Sequence, residues 1–344
     1  MKSIILSGIN KMEVVDTKMP VIQHSNDVLI KMKKVGVCGS DMHYFRTGRI
    51  GSQIVKYPFV VGHEGTGIVV ETGKGVKKVK PGDNIVIEPA VFCGVCDQCL
   101  NNRKNTCRNL KFLGCPGQLE GCLSEYIVMP ETSCFPFDDT LSHDKAVLAE
   151  PLSIGIYSVE IANPAKNAKI AILGAGPIGL SILFALKNKG FNKIYMTDII
   201  DSRVEYAHKA GAIWAGNPEK TNILKYILEN EPLQLDIVFE CCGKQEAAEN
   251  AINLLKPGGK LIIVGIPEFD NWNFPADIIR RKELSIINIR RQNECLDKAI
   301  KALSEDKTNF EKMITHHFDF HFTASAFELV SNYKDGVIKA VIDF

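Results

Sequence analysis

The sequence predicts an α/β protein of two domains, one rich in β-strands and one built on a doubly wound parallel sheet. Three observations predict it. The chain has 344 residues, and domains usually run to about 100–200 residues. Up to about residue 90 the apolar residues alternate with polar ones, the period of half-buried strands. After about residue 152, strands and helices alternate, with a glycine-rich turn at the first strand–helix junction. That order is the mark of βαβ units.

The elements follow in chain order. "DVLIKMKKV" alternates Val28, Ile30 and Met32, and reads as a strand. "GIVVETGKGVKKVKPGDNIVIEP" has β-branched runs split by Gly-Lys-Gly and Pro-Gly-Asp, which is strand–turn–strand punctuation. Residues 92–122 are rich in Cys, Gly and Asn and weakly periodic, an excursion that needs something other than a core to hold it. "AKIAILGAGPIGLSILFALKNKGFNKIYMTD" reads as strand, glycine turn, helix and strand. "DSRVEYAHKAGA" reads as a helix and "LDIVFECCG" as a buried strand. "AAENAINLLKPGGKLIIVG" reads as a helix, a Pro-Gly-Gly stop and a further strand. Beyond 292, "RQNECLDKAIKAL" and "ASAFELVSNY" read as helices and "GVIKAVIDF" as a closing strand.

Composition narrows the function. Formal net charge is +1, from 41 basic and 40 acidic residues, and 45% of residues are hydrophobic. Neither nucleic acid nor an anionic membrane is expected as a partner. No uninterrupted apolar run is long enough to span a bilayer. "MKSIILSGINKMEVVD" has too short an apolar run for a signal-peptide core, so a cytoplasmic location is expected. Eleven cysteines, an odd number with four crowded between Cys93 and Cys107, argue against a disulfide scaffold.

"ILGAGPIG" places Gly174, Gly176 and Gly179 in G-x-G-x-x-G spacing between a strand and a helix. The first glycine permits the tight turn, the second lets backbone approach a pyrophosphate, and the third lets helix pack on strand. The anion would rest on free N–H groups at the helix N-terminus. Asp198, 19 positions after Gly179, suits hydrogen bonds to a ribose 2′-OH and repels a 2′-phosphate, which favours NAD over NADP. Arg203 is expected either against the adenine or as a solvated helix charge. This is a Rossmann fingerprint.

"CGVCDQCLNNRKNTC" puts Cys93, Cys96, Cys99 and Cys107 at C-x2-C-x2-C-x7-C. Four thiolates close a tetrahedral zinc site with no open position, so this zinc would be structural. Cys115, Cys122, Cys134, Cys241, Cys242 and Cys295 lack such a pattern and read as small core residues.

A third group is scattered: Cys38, Ser40, Asp41, His43 and Tyr44 in "VGVCGSDMHYF", His63 and Glu64 in "VVGHEGTG", and Glu150 in "LAEPLSIG". Taken together, "CGSDMHYFRTGRIGSQIVKYPFVVGHEGTG", "PGDNIVIEP", the four-cysteine loop, "GAGPIG" and "EPLSIG" resemble the zinc-dependent medium-chain dehydrogenases, the sorbitol (polyol) dehydrogenase branch above all. The resemblance runs through essentially the whole chain. It implies a GroES-like catalytic β domain at 1–152 and 292–344, with the structural zinc loop at about 90–122. It implies a Rossmann NAD-binding domain at 153–291.

The same resemblance implies a catalytic zinc on Cys38, His63 and Glu64. Glu150, where simple alcohol dehydrogenases carry cysteine, would hold a zinc-bound water or substrate or enter the coordination itself. Such a zinc keeps one position open and acts as a Lewis acid on a bound alcohol. Ser40 and His43 are implied as the proton relay, and Tyr44, Glu150 and Arg290 as substrate contacts, which Arg291 is expected to join. Pro177, Ile178, Val264, Gly265 and Ile266 join the glycines, Asp198 and Arg203 as cofactor contacts. One departure matters: the branch has Arg-Tyr where "INIRRQNE" gives Arg290 and Arg291, and a second guanidinium favours an anionic sugar derivative. The expected reaction oxidises a secondary alcohol of a polyol to a ketose with NAD. L-idonate or gulonate 5-dehydrogenase, galactitol 1-phosphate 5-dehydrogenase and threonine dehydrogenase are the alternatives. A non-enzymatic scaffold would have lost some of these residues. A homo-oligomer, tetramer or dimer, is expected from the relatives.

Overall fold

The computed structural model describes residues 1–344. The chain divides into two compact units, residues 1–150 with 296–344, and residues 151–295. The boundaries lie two and four residues from the expected ones.

In the first unit the strands are β1 (Lys2–Gly8), β2 (Lys11–Asp16) and β3 (Asp27–Gly36), followed by the helix α1 (Gly39–Thr47). Then come β4 (Glu64–Thr72), β5 (Asn84–Ile87), β6 (Tyr126–Pro130) and β7 (Cys134–Phe137). Glu150 stands in the first turn of α2 (Ala149–Ala162). The alternation read in "DVLIKMKKV" is real: Val28, Ile30 and Met32 are fully buried in the core of this unit. Helix α1 was not expected in this β-rich stretch. Its residues lack helical apolar periodicity, and it is fixed instead by a local device, the Asp41 carboxylate accepting the Cys38 N–H at 3.1 Å.

The second unit supplies β8 (Ile170–Leu173), α3 (Pro177–Asn188), β9 (Ile194–Thr197), α4 (Asp201–Lys209) and β10 (Trp214–Gly216). It continues with α5 (Ile223–Asn230), β11 (Leu235–Glu240), α6 (Gln245–Leu254), β12 (Leu255–Ile263), α7 (Ala276–Lys282) and β13 (Ser285–Asn288). All six strands are parallel, in the order β10-β9-β8-β11-β12-β13. Counted within the unit this is 3-2-1-4-5-6, the doubly wound order. Leu173 pairs with Thr197 on one side and Glu240 on the other, and Glu240 with Ile263. The loops after four strands therefore start level at one edge, where nucleotides bind in such sheets. The Pro-Gly-Gly stop expected between α6 and β12 is absent. Residues 255–263 form one strand through Pro257, Gly258 and Gly259, with an irregularity in its pairing to β11.

The chain then returns to the first unit with α8 (Leu296–Ser304), β14 (Ile314–Asp319), α9 (Thr323–Ser331) and β15 (Lys339–Asp343). The large sheet runs β7-β5-β4-β3-β15-β14, and β6 also pairs with β3. β3 is its hub: Gly36 pairs with Glu64 of β4 and with Val341 of β15. The end of β3, the start of β4 and the start of β15 thus meet, and Cys38 follows two residues on. No helix is long and apolar enough to cross a membrane.

Candidate active site

That meeting point gathers the scattered residues. Donor atoms of Cys38, His63 and Glu64 all lie within 4.8 Å of one another. His63 and Glu64 are buried and Cys38 half-buried. One thiolate, one imidazole and one carboxylate at this spacing suit a zinc ion with three protein ligands and an open position. Glu150 is buried in the same unit but is not a member of that triad.

Asp41, which the sequence placed in the cluster without a task, organises it. Its carboxylate, 1% exposed, accepts the Cys38 N–H at 3.1 Å and the Gly62 N–H at 3.4 Å. It also faces His63 Nδ1 at 3.5 Å. This fixes the ring and leaves Nε2 for a metal, as carboxylate–histidine pairs do in metal sites. The Ser40 hydroxyl donates to Cys38 Sγ at 3.3 Å. His43 is half-buried on α1. Lys339 of β15 pairs with Glu64 inside the protein; nothing in "GVIKAVIDF" marked it as part of the site.

The electrostatics are anionic. Burial alone would lower the His63 pKa, yet Asp41 and Cys38 outweigh it and hold it well above the usual value. Burial pushes the Glu150 carboxyl up to about 8, with Glu64 and Glu88 adding to it and His63 and Lys339 opposing. Asp41, Cys38 and Glu64 beside His63 form a set of acidic groups whose charge a dication would offset.

Tyr44 lies on the inner face of α1. Its ring belongs to the core and its hydroxyl donates to Gln53 Oε1 at 3.2 Å. The same hydroxyl lies 3.8 Å from Cys115 Sγ.

The four-cysteine loop also converges. Cys93, Cys96, Cys99 and Cys107 have their Sγ atoms within 4.8 Å of one another. Individual separations are 3.5 Å for Cys93–Cys107, 3.6 Å for Cys96–Cys99 and 3.9 Å for Cys96–Cys107. Zn–S bonds of about 2.3 Å give a tetrahedron with edges near 3.8 Å, whereas a disulfide needs about 2.05 Å. The N–H groups of Arg108 and Cys99 bring the Cys96 thiol down to about 6. Of the other cysteines, Cys115, Cys122, Cys134 and Cys295 are buried as expected, but Cys242 is exposed.

In the second unit Gly174 lies at φ +107°, in the left-handed region, and Gly179 has no room for a side chain. Gly176 caps α3, with Pro177 at its first position and Ile178 beside it, both half-buried. Asp198, expected to meet a ribose 2′-OH, accepts the Ala175 N–H at 2.8 Å and the Ile200 N–H at 2.9 Å, and so braces the glycine turn. Arg203 is buried rather than a solvated helix charge, with its guanidinium 3.6 Å from where a Gly176 Cβ would stand. That places it at the glycine turn. Val264, Gly265 and Ile266 follow β12 at the same sheet edge, where the Val264 and Gly265 N–H groups bond to the Glu240 carbonyl. Arg290 is exposed and Arg291 half-buried with φ +54°.

Comparison with known proteins identifies the family. Residues 24–139 match the alcohol dehydrogenase GroES-like domain, and residues 177–305 match the zinc-binding dehydrogenase family. A sorbitol dehydrogenase of Bacillus subtilis is 33% identical over 344 residues, covering 99% of this chain and 97% of that one. The chain belongs to the zinc-dependent medium-chain dehydrogenases. An L-idonate 5-dehydrogenase of Vitis vinifera is 34% identical over 300 residues, 86% of this chain and 81% of that one. A solved alcohol dehydrogenase of Escherichia coli, complexed with NADH, superposes with a TM-score of 0.91 at 30% identity, over 100% of this chain and 99% of its own. This dehydrogenase is an oxidoreductase that uses Zn2+ and NAD.

Proposed function

We propose that this dehydrogenase oxidises a secondary alcohol of a sorbitol- or xylitol-like polyol to a ketose, passing a hydride to NAD. The observation that carries the reading is the donor set: Cys38, His63 and Glu64 within 4.8 Å of one another, with Glu150 buried in the same unit. Zinc bound there supplies a Lewis acid that lowers the pKa of an alcohol. Cys38, His63 and Glu64 hold the ion, and Asp41 keeps His63 turned toward it. Glu150 accepts a hydrogen bond from a substrate hydroxyl or from water. Ser40, whose hydroxyl can both donate and accept, takes the proton from the alcohol, and His43 carries it on. The family resemblance supports Arg290 as a further substrate contact, and Arg291 stands next to it in the chain.

Cys93, Cys96, Cys99 and Cys107 hold a second, structural zinc. Gly174, Gly176, Pro177, Ile178 and Gly179 seat the pyrophosphate with Arg203 beside them. Asp198 receives the adenosine ribose, and Val264, Gly265 and Ile266 border the nicotinamide. The protein works in the cytoplasm as a homo-oligomer, tetramer or dimer; the family resemblance supports this.

A second reading is favoured by the Arg290–Arg291 pair and by the 34% identity to the L-idonate enzyme: an acidic sugar derivative as substrate. NAD reduction with sorbitol, xylitol, L-idonate, galactitol 1-phosphate and threonine tests both. Turnover on neutral polyols with a lower KM than on the anions supports the first reading. A strong preference for idonate or the phosphate overturns it in favour of the second.

A further inference from the structure

The proposed metal site contains a cation of its own. Lys339 opens β15 and is 1% exposed, as is Glu64. Its ammonium is bonded to Glu64 Oε2 and donates to the Val37 carbonyl at 3.1 Å. The pair fits because residue 36 is glycine: a Cβ there would come within 2.3 Å of Glu64 Oε2 and 2.9 Å of Lys339 Cε. Lysine is almost never fully buried unless paired. Here the pairing is with a proposed metal ligand, and neither group reaches solvent.

A carboxylate has two oxygens to offer. Lys339 holds Oε2, which leaves Oε1 for a metal. The surroundings explain why a lysine is tolerated: Cys38, Asp41, Glu64 and Glu150 are all potential anions, opposed only by His63 and Lys339. In the metal-free protein the ammonium is the counter-ion of Glu64, without which a buried charge would stand uncompensated. When a dication arrives, two cations share one carboxylate, and they repel each other.

We propose that Lys339 is a resident counter-cation for Glu64, a positioning residue that keeps the metal-free site intact and weakens the hold on the metal so that it exchanges. The inference rests on the metal reading of Cys38, His63 and Glu64. It goes beyond that reading in naming what sets the metal's affinity.

The test follows zinc release from the full-length, zinc-loaded protein to a chromogenic chelator, with the four-cysteine zinc as internal reference. In Lys339→Met the release from the Cys38–His63–Glu64 site is expected to slow by about 10-fold, as large a change as loss of a supporting outer partner makes but of opposite sign, because the partner removed is a cation. The reference phase stays unchanged, and the metal-free variant melts lower than metal-free wild type. Cobalt substituted for zinc reports the coordination directly: its visible spectrum shifts in Lys339→Met as Oε2 is freed, and stays close to wild type in Lys339→Arg. Lys339→Gln, which keeps a donor toward Val37, serves as the neutral variant where Lys339→Met does not fold. Release from the neutral variant at the wild-type rate or faster, with an unshifted cobalt spectrum, overturns the inference. Wild-type protein that carries only the four-cysteine zinc overturns the metal reading instead.

Discussion

Gly179→Ala is the sharpest test of the cofactor turn. A Cβ at residue 179 would stand 1.9 Å from the Gly174 carbonyl oxygen, 3.0 Å from its carbon and 3.3 Å from Ile172 Cγ2. Unbonded heavy atoms rest at about 3.5–4.0 Å, so α3 and the turn must part by about 1.5 Å. The clash is with backbone, so no rotamer relieves it. Overpacking of this kind costs about 1–3 kcal/mol of stability. The expected loss to NADH is larger, because the N–H groups of the turn and the helix N-terminus are the proposed seat of the pyrophosphate. Hydrogen bonds to charged groups contribute about 1.5–3 kcal/mol each. Losing two of them predicts a weakening of about 100-fold or more. NADH fluorescence titration measures it, and circular dichroism shows whether the fold survives. A folded Gly179→Ala protein that binds NADH as tightly as wild type refutes the reasoning.

Two further outcomes are expected. Asp41→Asn keeps the size of the side chain but loses the charge facing His63, so zinc affinity at that site falls by about 10–100-fold, read by competition with a chelator; unchanged affinity contradicts the bracing role. His143 has its pKa lowered by burial first and by Lys33 and Lys34 next, and its ring nitrogens bond to Thr66 and Asn84. The unfolded chain therefore binds the proton more readily than the folded one, and stability falls as pH drops through and below about 6.5. In His143→Gln, urea melts at pH 7.5 and 5.5 show a smaller acid-side loss than wild type; an identical loss assigns it to other groups.

The parts of the site legible in the sequence are those whose chemistry is written in short spacing. The three glycines and Asp198 lie within one βαβ unit, and the four cysteines within fifteen residues, so local pattern suffices. Cys38, His63 and Glu64 were reached only through family resemblance, because strand pairing brings them together: Gly36 registers opposite Glu64. Lys339 is 275 residues from Glu64, in a segment that reads as a plain closing strand. Only the pairing of β15 with β3 brings it to Glu64. Helix α1 escaped for a related reason. "GSDMHYFRT" has no amphipathic stripe, and its start depends on the Asp41 cap. The Tyr44 hydroxyl donates to Gln53, nine residues on, a contact that no periodicity in the sequence marks.

The central claim is that Cys38, His63 and Glu64 hold a zinc on which NAD-dependent alcohol oxidation depends. Zinc content and polyol-driven NAD reduction, measured together on wild type and His63→Ala, test it most directly. Two zinc ions per wild-type chain, falling to one in the variant with turnover lost and NADH binding kept, is the predicted result. A His63→Ala protein that reduces NAD at the wild-type rate contradicts it.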